Sequence, residues 1–220
     1  MPSPNTIKTY VEDGYYHIYN RGVEKRVIFQ GREDYSMFLH IIKLYLSLPD
    51  KLREEMPLLR NYYVQNNLSE ELQLLAFCLM PNHYHLLIHQ KNKDSIIKLM
   101  RQIKTAYTMY FNKKHERVGH LFQGRYKAAL VDSDEYLLHL SRYIHLNPLD
   151  RGAPIDEFEW SSYLYYLGKR NAHWLNTQII SGYFNSSKKG FSYKSFVEDY
   201  IEPLKLHQSL TIDFDEDCPR

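Results

Sequence analysis

Only two cysteines, Cys78 and Cys218, occur among 220 residues. Two thiols cannot build a disulfide framework, and Cys78 lies inside an apolar run, so a reducing cytoplasm is the expected compartment. No apolar run approaches the roughly 18–20 residues that a membrane helix needs, and no membrane partner is expected. The opening segment, MPSPNTIKTYVEDGYYHIYNRG, lacks the charged-then-apolar layout of a signal peptide. Internal repeats and low-complexity stretches are also missing. So is a strong charge of one sign: the formal net charge is +2, too small to announce a nucleic-acid binder by itself. With 44% hydrophobic and 25% charged residues, the composition is that of a soluble globular protein. Its length suffices for one domain and an appendage.

What is plentiful is tyrosine (20 residues) and histidine (11 residues). Aromatic side chains interleaved with basic ones suit a surface on which unpaired bases stack, although most of the tyrosines read as fillers of a half-wet core.

Hydropathy patterning sets out the elements. YYHIYNRG alternates and ends in a Gly turn, so it reads as a strand, and RVIFQG as a second short strand or a turn edge. EDYSMFLHIIKLYLSL carries Met37, Ile41, Leu44 and Leu48 at helical spacing, with Pro49 as its stop. Residues 50–70 are polar and irregular, with one short helix expected. LQLLAFCLM and HYHLLIHQ, joined by Pro81-Asn82, form a candidate hairpin. DSIIKLMRQIKTAYTMYFNKK is an amphipathic helix with Ile96, Met100, Ile103, Tyr107 and Tyr110 on one side and Lys98, Arg101 and Lys104 on the other. HLFQGRYKAALV reads as a loop and a strand, and DSDEYLLHLSRYIHLNP as the last helix of the core.

The first six elements match a split βαβ, or ferredoxin-like, α+β arrangement, an antiparallel sheet backed by helices. The strand carrying His83 and His85 is then internal to the sheet. The expected division is a domain over 1–152 and a small helical appendage over 153–220, the latter from FEWSSYLYYLG, WLNTQIISGYF and YKSFVEDYI. The acidic end, DFDEDCPR, reads as a mobile tail.

In MPNHYHLLIHQ, His83 and His85 are two apart on a strand and point the same way. Two imidazoles on one face can share a divalent ion, completed by an oxygen or nitrogen ligand. Alone, the pair is equally a hydrogen-bonded polar spot beside Tyr84. The last core helix adds to it. Tyr143 and Asn147 are four residues apart on one helical face, and Asn147 precedes Pro148, where the helix must stop. An amide oxygen is a fair third ligand, and His139 lies a turn further back as a hydrogen-bond partner or nucleic-acid contact. Tyrosine is a covalent nucleophile once its phenol, with an ordinary pKa of about 10, loses its proton. An ion held by His83, His85 and Asn147 could bind a scissile phosphate and orient it for in-line attack by Tyr143.

The motifs MPNHYHLLI, GHLFQGRYKAALV and YLLHLSRYIHLNPLDRG, followed by WSSYLYYLG, resemble those of the REP-associated tyrosine transposases. These are single-tyrosine transposases of the HUH endonuclease superfamily. The similarity runs from about Tyr15 to Gly168. It implies that His83-Tyr84-His85 is the HUH motif, Tyr143 the nucleophile and Asn147 the residue completing the metal site. It further implies magnesium or manganese, joining to the 5′ phosphate of single-stranded DNA, and substrates that are hairpin-forming palindromic repeats. A monomer is expected, with a homodimer as the alternative, in the cytoplasm and associated with the nucleoid.

GHLFQGRYK combines a flexible start, Phe122 for stacking, and Arg125 and Lys127 for phosphates, and reads as a DNA-contacting segment. Arg21 is placed near the site by the resemblance. Lys98, Arg101 and Lys104 are either a solvated face or a contact for a DNA stem. His89, His115 and His120 read as structural or as exposed loop residues. Two further functions stay open at this point: a non-catalytic nucleic-acid-binding module on a ferredoxin-like sheet, and a zinc hydrolase that uses water.

Overall fold

The computed structural model describes residues 9–185 and 192–202; the acidic tail lies outside the described residues. Strands β1 (Gly14–Arg21), β2 (Leu72–Met80), β3 (His83–Gln90) and β4 (Lys127–Val131) form one antiparallel sheet in the order β2-β3-β1-β4. With α1 (Arg32–Leu46) between the first two strands and α4 (Ser95–Lys114) between the last two, this is the split βαβ order, and β3 is internal. Two short helices, α2 (Pro49–Glu55) and α3 (Asn61–Gln65), fill the excursion between α1 and β2, one more than expected. Among the described residues no helix is long and apolar enough to cross a membrane.

Alternation along the strands gives the sheet two faces. One presents Tyr16, Ile18, Tyr84, Leu86 and Ile88 to Phe38, Ile41 and Ile42 of α1 and to Leu99, Ile103 and Tyr107 of α4. The other presents Cys78, Met80, Leu87 and Val131 to Leu137, Leu140 and Ile144 of α5 (Asp134–Leu146). A register shift between Leu74 and Ala76 lets Leu75 and Ala76 both face this second core, as a bulge does. Ser133 caps α5 by accepting the Tyr136 N–H (3.2 Å). Three short helices follow, α6 (Tyr163–Tyr166), α7 (Gln178–Asn185) and α8 (Tyr193–Glu198), and Tyr163, Ile180, Tyr193 and Val197 from these pack with α5.

Three local expectations are corrected. The buried stripe of α1 runs through Tyr35, Phe38, Ile41, Ile42 and Tyr45, while Leu48 is exposed and Pro49 opens α2 instead of only closing α1. Phe111 takes the core position that Tyr110 was expected to fill, and Tyr110 is half-buried. RVIFQG is not a strand. It docks as a loop, with the Ile28 and Phe29 N–H groups both donating to the Pro81 carbonyl at the β2–β3 turn (2.7 and 3.0 Å).

Candidate active site

The β1–β3 register pairs Tyr19 with His85 and Arg21 with His83, so these four side chains form two adjacent rows on the α5 face. Lys127 extends the Tyr19 row from β4, with its ammonium 5.6 Å from the Tyr19 ring centroid. Above these rows lies the C-terminal end of α5. The chain leaves the helix at Asn147 and continues through a 3₁₀ turn, Asn147–Arg151. Gly152 ends that turn in the left-handed region (φ 66°), a conformation that glycine adopts without a Cβ clash.

This arrangement brings together the residues that the sequence singled out. His83 Nε2 lies 3.5 Å from Asn147 Oδ1. The Asn147 amide is oriented by its own helix, its Nδ2 donating to the Tyr143 carbonyl at 2.9 Å. The half-buried Tyr143 ring meets His85 edge-on, with centroids 5.5 Å apart and planes at 86°. His83 and His85 are themselves edge-to-face at 5.0 Å.

A third histidine, His17 on β1, completes the group. It is fully buried, its Nε2 is 2.8 Å from His85 Nδ1, and it meets the Tyr143 ring edge at 6.2 Å. The only cue in the sequence was its parity with Tyr15 and Tyr19 in an alternating strand. Asn82, read as a turn residue, places its Oδ1 2.8 Å from His83 Nδ1. Arg151 follows Asn147-Pro148 closely in sequence and stands near enough to His83 to act on its charge.

Burial is the main electrostatic influence on the site. It lowers the His83 pKa, with Asn147 acting in the opposite sense and Arg151 and Arg21 in the same sense. It holds His85 well below its ordinary value, helped by His17 and His83, and brings His17 down to about 3. All three are therefore neutral at pH 7. A neutral imidazole keeps one lone pair, the form that can ligate a metal. Among the described residues no group of three His, Cys, Asp or Glu side chains is placed to hold an ion; the Asn147 amide oxygen is the nearby donor outside those four residue types that lies beside His83.

The remaining candidates divide. Arg21 is tied to the 119–126 loop, its Nε donating to Gln123 Oε1 and its carbonyl accepting the Gln123 N–H (2.8 Å). Arg125 is exposed on that loop. Phe122, expected to stack on bases, is instead 2% exposed and packed against Tyr84 and Tyr107. A bridge between Phe122 and Gly22 draws it inward, so its ring is not available to DNA. Lys98, Arg101 and Lys104 belong to α4, across the sheet from the histidines, and Lys98 is paired with Glu71 (3.3 Å) and Asp94 (3.2 Å). His139 is partly exposed and its Nδ1 accepts from Arg142 (2.6 Å). His89 sits at the far end of β3, against Tyr15. His115, expected to be an exposed loop residue, is only 17% exposed and reaches Asp34 Oδ2 at 3.1 Å.

The family model described as "Transposase IS200 like" matches residues 10–147, from just before β1 to Asn147. The chain belongs to this family of transposases. A Haemophilus influenzae protein named as a candidate REP-associated tyrosine transposase is 27% identical, over 47% of this chain and 66% of its own length. The solved structure of a REP-associated tyrosine transposase bound to a REP hairpin is similar in fold, with a TM-score of 0.53 and 16% identity, over 74% of this chain and 84% of that one.

Proposed function

We propose that this protein is a divalent-metal-dependent enzyme that nicks and rejoins single-stranded DNA beside a hairpin, through a covalent phosphotyrosine on Tyr143. The observation that carries the reading is the meeting of His83 and Asn147 at 3.5 Å on the same helix end that lays Tyr143 against His85, in a chain of the IS200-like transposase family.

The donor set suits a divalent cation. His83 Nε2 and Asn147 Oδ1 lie 3.5 Å apart, a separation within reach of two ligands each about 2.0–2.2 Å from one ion. Magnesium or manganese bound by His83, His85 and Asn147 would neutralise charge on the non-bridging oxygens of the scissile phosphate. The residues of the chain do the rest. Tyr143 Oη attacks phosphorus in line. Its O–P bond forms as the P–O3′ bond breaks, the phenol proton is lost to the medium, and the departing O3′ takes up a proton. The products are a 5′-phosphotyrosine and a free 3′ hydroxyl. Attack by a 3′ hydroxyl on the phosphotyrosine reverses each of these changes and reseals the strand. The diester bond is conserved throughout, so no ATP is consumed. Arg21, Lys127, Arg125 and Arg151 supply the cations that hold the flanking phosphates. In this reading the acting unit is a monomer, at work on the nucleoid. The hairpin substrate is proposed from the REP hairpin bound by the similar protein.

The test is incubation of wild type and Tyr143→Phe with a labelled single-stranded hairpin and manganese, read on a denaturing gel. Wild type gives a slow-migrating protein–DNA adduct and the variant gives none. An adduct on Tyr143→Phe, or cleavage to hydrolysed ends alone, would overturn the assignment.

A further inference from the structure

The proposed metal site depends on which ring nitrogen of each histidine carries its proton. A neutral imidazole has one N–H donor and one lone pair, and only the lone pair can ligate. For His83 the partners decide. Asn82 Nδ2 donates to the Lys25 carbonyl (3.4 Å), which turns Asn82 Oδ1 toward His83 Nδ1 at 2.8 Å. Oδ1 can only accept, so His83 must donate from Nδ1 and keep its Nε2 lone pair. That lone pair faces Asn147 Oδ1, another pure acceptor, fixed by the bond from Nδ2 to the Tyr143 carbonyl. Two acceptors opposed at 3.5 Å repel each other unless a positive charge lies between them.

Asn82 is itself held by backbone. Its carbonyl accepts the Gly22 N–H (2.8 Å), and Pro81 beside it accepts from Ile28 and Phe29. A Cβ at position 22 would come within 2.1 Å of the Arg26 carbonyl oxygen, so only glycine permits that approach.

For His85 the partner is His17, whose Nε2 lies 2.8 Å from His85 Nδ1. One of these two nitrogens bears the proton. If His17 donated, the His85 proton would sit on Nε2 and block ligation. If His17 accepts, His85 carries its proton on Nδ1 and Nε2 is left for the ion. We infer that His17 and Asn82 are positioning residues for the transposase site, acting as hydrogen-bond acceptors that hold the protons of His85 and His83 on Nδ1. Both Nε2 lone pairs then remain available to a divalent cation. This rests on the metal-dependent reading above and names two residues behind the ligands, the type of partner that tunes metal sites generally.

The tests read tautomer and metal affinity separately from cleavage. In metal-free protein with 15N-labelled histidine, long-range 1H–15N correlation spectra at neutral pH will show His83 and His85 protonated on Nδ1. A His85 proton on Nε2 overturns the inference without any variant. Manganese binding, followed by electron paramagnetic resonance of the free ion, will weaken roughly 10–100-fold in His17→Phe and in Asn82→Leu. His17→Gln, whose amide oxygen can occupy the place of Nε2 and accept, will bind within a few-fold of wild type. Equal affinity in folded His17→Phe and wild type would also overturn it, even if wild type cuts DNA normally. Wild type that binds no manganese at all would instead remove the metal-dependent reading and this inference together.

Discussion

On the face covered by α1 and α4, the sheet presents Ile18, Leu86 and Ile88 to Phe38, Ile41, Leu99 and Ile103. On the face covered by α5 it presents His17, His83, His85 and Cys78. The first face keeps its charge at the rim, where buried Asp34 accepts the Gln30 N–H (2.8 Å) and meets Lys114 (2.9 Å) and His115 (3.1 Å), joining the start of α1 to the end of α4. The second face buries polar groups among apolar ones and gives several of them partners. His145 on α5 meets Ser162 Oγ (2.6 Å) through Nε2 and the Tyr193 hydroxyl (2.7 Å) through Nδ1, and Ser162 also accepts the Phe77 N–H of β2 (2.8 Å). One sheet thus separates stability from chemistry. The apolar side supports the fold, and the polar side positions reactive groups at the cost of desolvating them.

The division of labour between the two faces is tested most directly by the loss of one oxygen. Tyr143→Phe should abolish the covalent adduct while changing stability by about 1 kcal/mol or less, since only a hydroxyl is removed from a half-buried ring. Phe38→Ala, on the opposite face, should do the reverse. It is fully buried, so truncation should cost about 3–5 kcal/mol in urea unfolding, and the residual folded protein should still form adduct. A Phe38→Ala protein that keeps its stability but loses cleavage would contradict the division.

The two faces should also differ in their response to acid. Burial holds His17 and His145 at about 3, against an ordinary value of 6.5. The unfolded chain takes up their protons as pH falls below 6.5 and the folded chain does not. Metal-free stability should therefore decline by about 1.4 kcal/mol per pH unit for each group between about 6.5 and 3. Asp34 acts lower on the scale. Burial alone would raise its pKa, but Lys114 and the Gln30 N–H more than offset this and hold it below 3.8, so its contribution is present above 3.8 and lost as pH falls through the folded value. Urea midpoints measured from pH 7.5 to 5 should slope for wild type, less for His17→Gln, and as for wild type in Asp34→Asn.

Tyr193→Phe should cost about 1–3 kcal/mol, because it strips the hydroxyl that joins buried His145 to Ser141 (3.0 Å). Faster amide exchange in α8 and at the end of α5 would locate the loss; unchanged exchange there would show that apolar packing alone holds the last helices. The smallest effect is electrostatic. Arg125→Ala should reduce the salt slope of hairpin binding by about 0.7–0.9, one phosphate contact. Arg101→Ala, on the far face, should change it less.

Local pattern made much of this legible. The β2–β3 hairpin follows from two apolar runs around Pro81-Asn82, and α5 from its acidic start and its stop at Asn147-Pro148. His83 and His85 share a face because strand geometry has period two. His17 was harder to find, because a strand shows which residues share a face but not which strand will lie beside it. Phe122 was misread for a related reason. Its neighbours are glycine and basic residues typical of a surface loop, and the rings that bury it, Tyr84 and Tyr107, come from β3 and α4.

Local sequence was enough for most of the elements, the parity of His83 with His85, and the four-residue step from Tyr143 to Asn147, since each depends only on backbone periodicity over a few residues. Only the tertiary packing decided that His17 rests against His85 and that the end of α5 arrives over His83. Those are nonlocal contacts, set by which apolar faces bury one another, and from them the direction of each histidine's lone pair follows.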